Sequence, residues 1–383
     1  MSNKSMKIKT DFLIIGSGFY GSVLAERIAN KLNKKVIILE KRKHVGGNCY
    51  SEIDKKTNVE YHKYGTHIFH TSNEKVWQYL SKFCNLNSYR HQVLSQFRNK
   101  IYQMPINLET INSFFKKNFS PNQAYEFLQK KTKKFKKKNY ENFEEKALSQ
   151  IGLELYESFI KTYTEKHWGK HPKDLPSTIF NRLPLRYNYR EDYFNHCKYQ
   201  GIPDLGYTDI FNKMLSNKNV KVIKNKTFSL SSKNYNVKYS TIYTGPLDQL
   251  FNYNLGKLEW RSLKFKIKRM NTNDFLGTSV INFPEKKYDY TRLHEPKHLH
   301  IDRYKNNGKT LIQEEYPCEN TKEPYYPINT IKNRELHRNY KRLTLKLKNF
   351  EFGGRLADYA YYDMDMTISA ALKKYEQIKK KIK

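Results

Sequence analysis

Apolar positions follow two different periods along the chain, and the switches between them mark out its parts. Asp11-Phe-Leu-Ile-Ile15 runs as a short buried strand directly into Gly16-Ser-Gly-Phe-Tyr-Gly21. Ala25, Ile28, Ala29 and Leu32 then recur at helical spacing, and Lys35-Val-Ile-Ile-Leu-Glu40 reads as a second strand ending in an acid. Together they make one β-α-β unit. From about 108 to 166 the pattern is helical with Lys-rich faces, and from 176 to 200 Pro and Tyr punctuate a loop-rich stretch. Gly206–Leu215 reads as a helix, and Val220–Ile223 and Ser240–Thr244 read as strands. Between 258 and 315 apolar and polar residues alternate in short runs such as 262–268 and 278–283, the period of an antiparallel sheet. A last helix spans about 366–380. The expected class is mixed α/β, a Rossmann-type domain with an inserted helical domain and an antiparallel β-sheet domain.

Composition changes this picture little. The chain has 383 residues, 38% of them hydrophobic, enough for two or three cores, so wholesale disorder is excluded. Its formal net charge of +34 is read as Lys on solvated faces, and the run Lys130–Lys138 as a solvated helix face or loop. No specific nucleic-acid partner is expected. Cys49, Cys84, Cys197 and Cys318 stand far apart, which indicates neither disulfides nor a zinc site. With no apolar run of membrane-spanning length and no signal-peptide core, a cytoplasmic protein is expected.

The candidate chemistry begins at Gly16, Gly18 and Gly21, which fit G-x-G-x-x-G between a strand and a helix. The first glycine permits the turn, the second lets a pyrophosphate approach the backbone, and the third lets helix pack on strand. Glu40, at the end of the second strand, is placed to accept hydrogen bonds from the adenosine ribose. Gly46 and Gly47, followed by Asn48, suggest a second close backbone approach along a longer cofactor. Gly353-Gly354-Arg355, ahead of the final helix, supplies the late element that two-part flavoproteins place against the flavin. A histidine pair such as His67 and His70 could form half of a metal site, but no third ligand stands beside it in sequence, and no metal is expected.

Several separated blocks closely resemble bacterial UDP-galactopyranose mutases, in order and over nearly the whole chain. They are 46–48, Lys63-Tyr-Gly-Thr-His-Ile-Phe-His-Thr71, Tyr163-Thr-Glu-Lys-His-Trp-Gly169, 199–203, 243–246, Glu323-Pro-Tyr-Tyr-Pro327 and Phe352-Gly-Gly-Arg-Leu-Ala-Asp-Tyr359. The resemblance implies an FAD enzyme that interconverts UDP-galactopyranose and UDP-galactofuranose without net redox change. In that family N5 of the reduced flavin attacks the anomeric carbon, and the product feeds cell-surface polysaccharide. It further implies Arg182 and Arg292 as a diphosphate clamp, with His67 and His70 beside the flavin. Phe159, Tyr163, Thr164 and Trp168 fall at the uridine site. Tyr193, Tyr326 and Tyr361 match phosphate-contacting tyrosines, and Arg261 and Asn282 match further substrate positions. Arg355, Asp363 and Met364 match the flavin side. Trp168 to about Pro184 matches a mobile loop.

The implied domains are 1–80, 200–250 and 318–383 for FAD, 108–175 for the helices, and 81–107, 176–199 and 251–317 for the antiparallel sheet. A homodimer and an external reductant such as NAD(P)H are the family expectations. Three departures gather near the sugar end: Thr66 where Ala is usual, Asp204-Leu205 for a small pair, and His91 where Asn is frequent. They leave the hexose open, including UDP-N-acetylgalactosamine. An FAD amine oxidase or desaturase on the same scaffold is the alternative enzyme class, which the arginine pair disfavours.

Overall fold

The computed structural model describes residues 7–182, 184–194, 197–232, 234–304, 308–319 and 323–382 and, of Asn181 and Arg182, the backbone only. Strand β1 (Ile8–Ile15), helix α1 (Phe19–Leu32) and strand β2 (Val36–Leu39) form the expected unit. β1 begins before its apolar run because Ile8, Lys9 and Thr10 pair with Tyr235, Asn236 and Val237, extending the ladder into exposed residues. Five parallel strands line up as Phe350–Phe352, Tyr235–Tyr243, β1, β2 and Val220–Ile223. Helix Met364–Ile382 closes this core by packing Ile368, Ala371, Tyr375 and Ile378 into the cluster that holds Phe12, Ile14, Val23, Leu24 and Ile28.

A second sheet has seven strands in the order Tyr326–Pro327, Trp260–Met270, Thr310–Glu319, Arg292–His294, Val280–Asn282, Val93–Phe97 and Lys100–Met104. Its neighbours are antiparallel except where Ile281 and Asn282 run parallel to Leu94 and Ser95. Backbone pairing carries this sheet past the expected boundary at 317, since Tyr326 pairs with Arg261. Periodicity over two residues cannot register so short a strand.

The helices Leu108–Phe115, Pro121–Thr132, Phe143–Leu155 and Thr162–Trp168 occupy the expected helical stretch. Between the last two, Tyr156–Lys161 widens into a π-helical turn, a form often found at functional sites. Lys130, Lys133, Lys134, Lys136, Lys137 and Lys138 are exposed, as a solvated face requires. Among the described residues no helix is long and apolar enough to cross a membrane.

Candidate active site

The carboxyl ends of the parallel strands open onto a cleft with an empty volume of about 1300 Å³. Ligands of open α/β sheets bind at this end. Ile15-Gly16, Leu39-Glu40 and Tyr243-Thr244 reach it from three adjacent strands, and Gly354-Arg355 arrives just beyond a fourth. α1 starts at Gly18 with no side-chain cap and no acid in its first turn, so its N–H groups and positive dipole end remain available to a pyrophosphate. Gly47 adopts φ +58°, and a Cβ there would lie 3.2 Å from the Cα of Gly18. The two glycines let the walls of the cleft come together.

Glu40 is buried, its carboxylate accepting from Ser17 N at 2.9 Å, Ser17 Oγ at 2.6 Å and Arg42 N at 2.9 Å. Those bonds fix it against the glycine turn, a role for Ser17 that the motif does not announce. Arg42 donates to Asn48 Oδ1 at 3.0 Å, and Gly46 N donates to Ser17 O at 2.9 Å, which joins the two glycine-containing turns. The glycine spacing and the uncapped helix fit a dinucleotide such as FAD, and Cys49, His67, Arg355, Tyr362 and Met364 line the same cleft.

His67 lines this cleft, and its Nδ1 lies 2.6 Å from Gly65 O. A carbonyl only accepts, so Nδ1 carries the proton and Nε2 is left as the acceptor. Burial pulls the imidazole down to about 4, which keeps it neutral.

A second pocket, with an empty volume of about 1050 Å³, lies where the helices meet the seven-stranded sheet. Its walls include Phe159, Tyr163, Thr164, Trp168, Tyr193, Asn282, Arg292 and Tyr361, so eight residues expected at the substrate fall together here. The π-helical turn carries Phe159, and Phe180 fills the pocket's floor against Phe143 with ring centroids 5.3 Å apart. Arg292 donates from Nε to Asn282 Oδ1 at 3.2 Å, and its guanidinium carbon sits 5.7 Å from the Tyr163 ring centre. Tyr326 stacks on Tyr361 at 5.3 Å, with Arg355 5.7 Å and 5.6 Å from the two rings. Arg355 thereby stands between the cleft and the second pocket.

Other expected residues are placed differently. Arg261 lines neither the cleft nor the second pocket: it donates to His167 O at 2.8 Å and Lys166 O at 2.9 Å, closing the carboxyl end of the helix that carries Trp168. His70 stacks on Phe194 at 3.7 Å, with Nδ1 3.2 Å from Cys197 Sγ, outside the cofactor cleft. Asp363 is not among the residues lining the cleft; its carbonyl accepts from Thr367 N at 3.0 Å. The side chain of Arg182 lies outside the described residues.

Sequence reasoning also missed functional groups. His167 lines the second pocket with a buried Nδ1 that has no hydrogen-bond partner, and burial brings it down to about 4. Glu315, almost wholly buried, faces Arg292 NH1 at 3.6 Å and His294 Nε2 at 3.0 Å. Burial alone would raise Glu315, but Arg292 and His294 overcome it and hold the carboxylate at about 2. Nζ of Lys166 lies 2.6–3.1 Å from the carbonyl oxygens of Phe283, Glu285, Tyr288 and Tyr290 and shares its three N–H groups among them, holding the turn that leads into Arg292. Burial lowers it to about 8 against the charges of Asp289 and Glu285, which leaves it charged at neutral pH. Lys166 lies inside the block 163–169 and Glu315 ahead of the block that begins at Glu323, but nothing local gives their tertiary partners.

The model of the UDP-galactopyranose mutase family matches residues 158–361, and that of the NAD(P)-binding Rossmann-like domain matches 14–83. A probable UDP-galactopyranose mutase of Klebsiella pneumoniae is 38% identical over 97% of this chain and 94% of its own. The chain belongs to the UDP-galactopyranose mutase family. A relative named dTDP-fucopyranose mutase, from Escherichia coli, is 35% identical over 94% of this chain and 96% of its own. A crystal structure of reduced UDP-galactopyranose mutase superposes with a TM-score of 0.75 at 15% identity, over 96% of this chain and 93% of that one. Membership of a mutase family makes this an isomerase, with a Rossmann-type domain built from a mixed α/β chain.

The buried histidines of this family member make its stability acid-sensitive. Burial lowers His67, His167 and His300 to about 4 and His91 to about 3, against 6.5 for a free histidine. Between these values the unfolded chain binds more protons than the folded one, so stability falls as pH drops from 6.5. Glu315, depressed to about 2 from 4.5, adds a further loss below pH 4.5. Thermal unfolding should move down by about 5 °C or more between pH 7 and pH 5. A midpoint flat across that interval would contradict the neutral, buried histidines.

Proposed function

We propose that this protein interconverts UDP-galactopyranose and UDP-galactofuranose with FAD in the reduced state and no net redox change. The observation that carries the reading is the half-buried Arg292 in an aromatic pocket, joined through Tyr361 and Arg355 to a dinucleotide cleft. Bound reduced FAD supplies the nucleophile, its N5, for the anomeric carbon. The protein's own part is to hold the nucleotide and to stabilise the charge on the departing diphosphate.

Arg292 is kept charged: burial would lower it, but Tyr163 and Glu315 raise it. It offers forked donors to the diphosphate, as Arg182 does by motif position. Hydroxyls of Tyr193, Tyr326 and Tyr361 add hydrogen bonds without adding charge. Phe159, Tyr163 and Trp168 give the base flat apolar faces, and the unpartnered Nδ1 of His167 is free to bond the nucleoside. Neutral His67 holds an acceptor nitrogen at the flavin end. The loop from Trp168 to about Pro184 moves over the bound nucleotide to exclude water. The family resemblance supports the wider setting, a cytoplasmic homodimer reduced by an external donor such as NAD(P)H and serving cell-surface polysaccharide.

A second reading keeps the chemistry and changes the sugar nucleotide. The fucopyranose mutase relative is nearly as similar as the galactopyranose one, and His91 is buried between Tyr193 and Phe194 rings, 5.4 Å and 5.8 Å away. Rates with UDP-galactofuranose, dTDP-fucofuranose and the furanose form of UDP-N-acetylgalactosamine, measured on one reduced preparation, separate these readings. The highest kcat/KM is expected with UDP-galactofuranose; a tenfold preference for either of the others would reassign the substrate.

A further inference from the structure

One polar chain runs from the flavin cleft to the phosphate pocket through residues that neither wall displays. Thr66 follows Gly65 and precedes His67, which lines the cleft. Its Oγ1 lies 2.9 Å from Nδ1 of His294. His294 Nε2 lies 3.0 Å from Oε2 of Glu315, and Oε1 of Glu315 lies 3.6 Å from NH1 of Arg292, which lines the pocket. Thr291 Oγ1 donates to that same Oε1 at 3.2 Å. His294 and Glu315 are both almost fully buried.

From this geometry we infer that His294 is a positioning residue for Arg292: through Glu315 it sets the guanidinium, and through Thr66 it ties that setting to the His67 loop. The inference deepens the mutase reading and rests on Arg292 contacting the diphosphate. Glu315 is ionised, so Nε2 of His294 must carry a proton and donate to it. Nδ1 then shares the Thr66 hydroxyl, which orients the ring. Without His294, one oxygen of a buried carboxylate loses its donor. Glu315 is then free to turn toward Arg292 and draw it away from the pocket. Thr66, which departs from the residue usual in its motif, thus has a structural partner in His294.

The test is calorimetric binding of UDP, and separately of dTDP, to the flavin-loaded enzyme and its variants. His294→Leu should weaken UDP binding about tenfold, and Thr66→Val, which removes only the hydroxyl, about threefold. His294→Gln, which restores a donor toward Glu315, should recover most of the loss. In a Glu315→Gln background, His294→Leu should weaken binding less than about twofold further, because the coupling passes through that carboxylate. A general loosening of the fold would instead cost the same in both backgrounds, and that additive result would overturn the inference. So would unchanged binding in Thr66→Val together with a folded His294→Leu. If the wild-type enzyme bound neither UDP nor dTDP, the mutase reading itself would fail and this inference with it.

Discussion

Gly21→Ala should yield a protein that does not retain FAD. A Cβ built at Gly21 lies 2.0 Å from the carbonyl oxygen of Gly16 and 3.1 Å from Ile14 Cγ2. The first of these contacts is backbone, so no rotamer change relieves it. α1 would have to lift from β1, dragging the amides at its start away from the pyrophosphate. Overpacking a core costs about 1–3 kcal/mol where side chains can give way, and here they cannot. Absorbance near 450 nm against protein concentration measures the outcome. The expectation is a flavin content about tenfold or more below wild type, since about 1.4 kcal/mol already changes an equilibrium tenfold. Wild-type flavin content would remove this turn from the cofactor site.

Arg292→Ala should lower kcat/KM by at least tenfold while leaving flavin in place. A charge-assisted contact of this kind is worth about 1.5–3 kcal/mol, or roughly ten- to a hundredfold in rate. The structure adds a second consequence that the motif alone does not carry. Glu315 is 1% exposed, and removing Arg292 takes a compensating charge away from a buried carboxylate. The variant should therefore unfold several degrees lower. Arg292→Ala combined with Glu315→Gln should recover much of the unfolding midpoint and none of the activity. Recovery of both by the double variant would show that Arg292 acts through stability and not on the substrate.

These two residues mark how far the sequence can be read. Gly21 was legible because its task is local: a strand, a turn and a helix lie within one short segment, and the spacing states the close approach. Glu40 was legible for the same reason, although its hydrogen bonds to Ser17 were not. The alternation over 258–315 likewise announced an antiparallel sheet. Tyr326–Pro327 is not legible, because a two-residue strand has no period of its own. Arg261 shows the opposite case. Its place in the family pattern put it at the substrate, whereas its guanidinium closes the helix that presents Trp168. Glu315, Lys166 and His294 carry no local signal, since each owes its role to a partner at least 20 residues away or across the sheet. Shape of that kind comes only from tertiary packing.

Turnover of UDP-galactofuranose should depend on the redox state of the flavin without consuming it. The decisive measurement follows UDP-galactopyranose formation by chromatography under anaerobic conditions, with dithionite-reduced and with oxidised protein, while flavin absorbance is recorded throughout. Many turnovers per flavin are expected in the reduced sample, with the flavin still fully reduced at the end and negligible product in the oxidised sample. Equal rates in the two samples, or oxidation of one flavin for each sugar converted, would contradict the role given to reduced flavin.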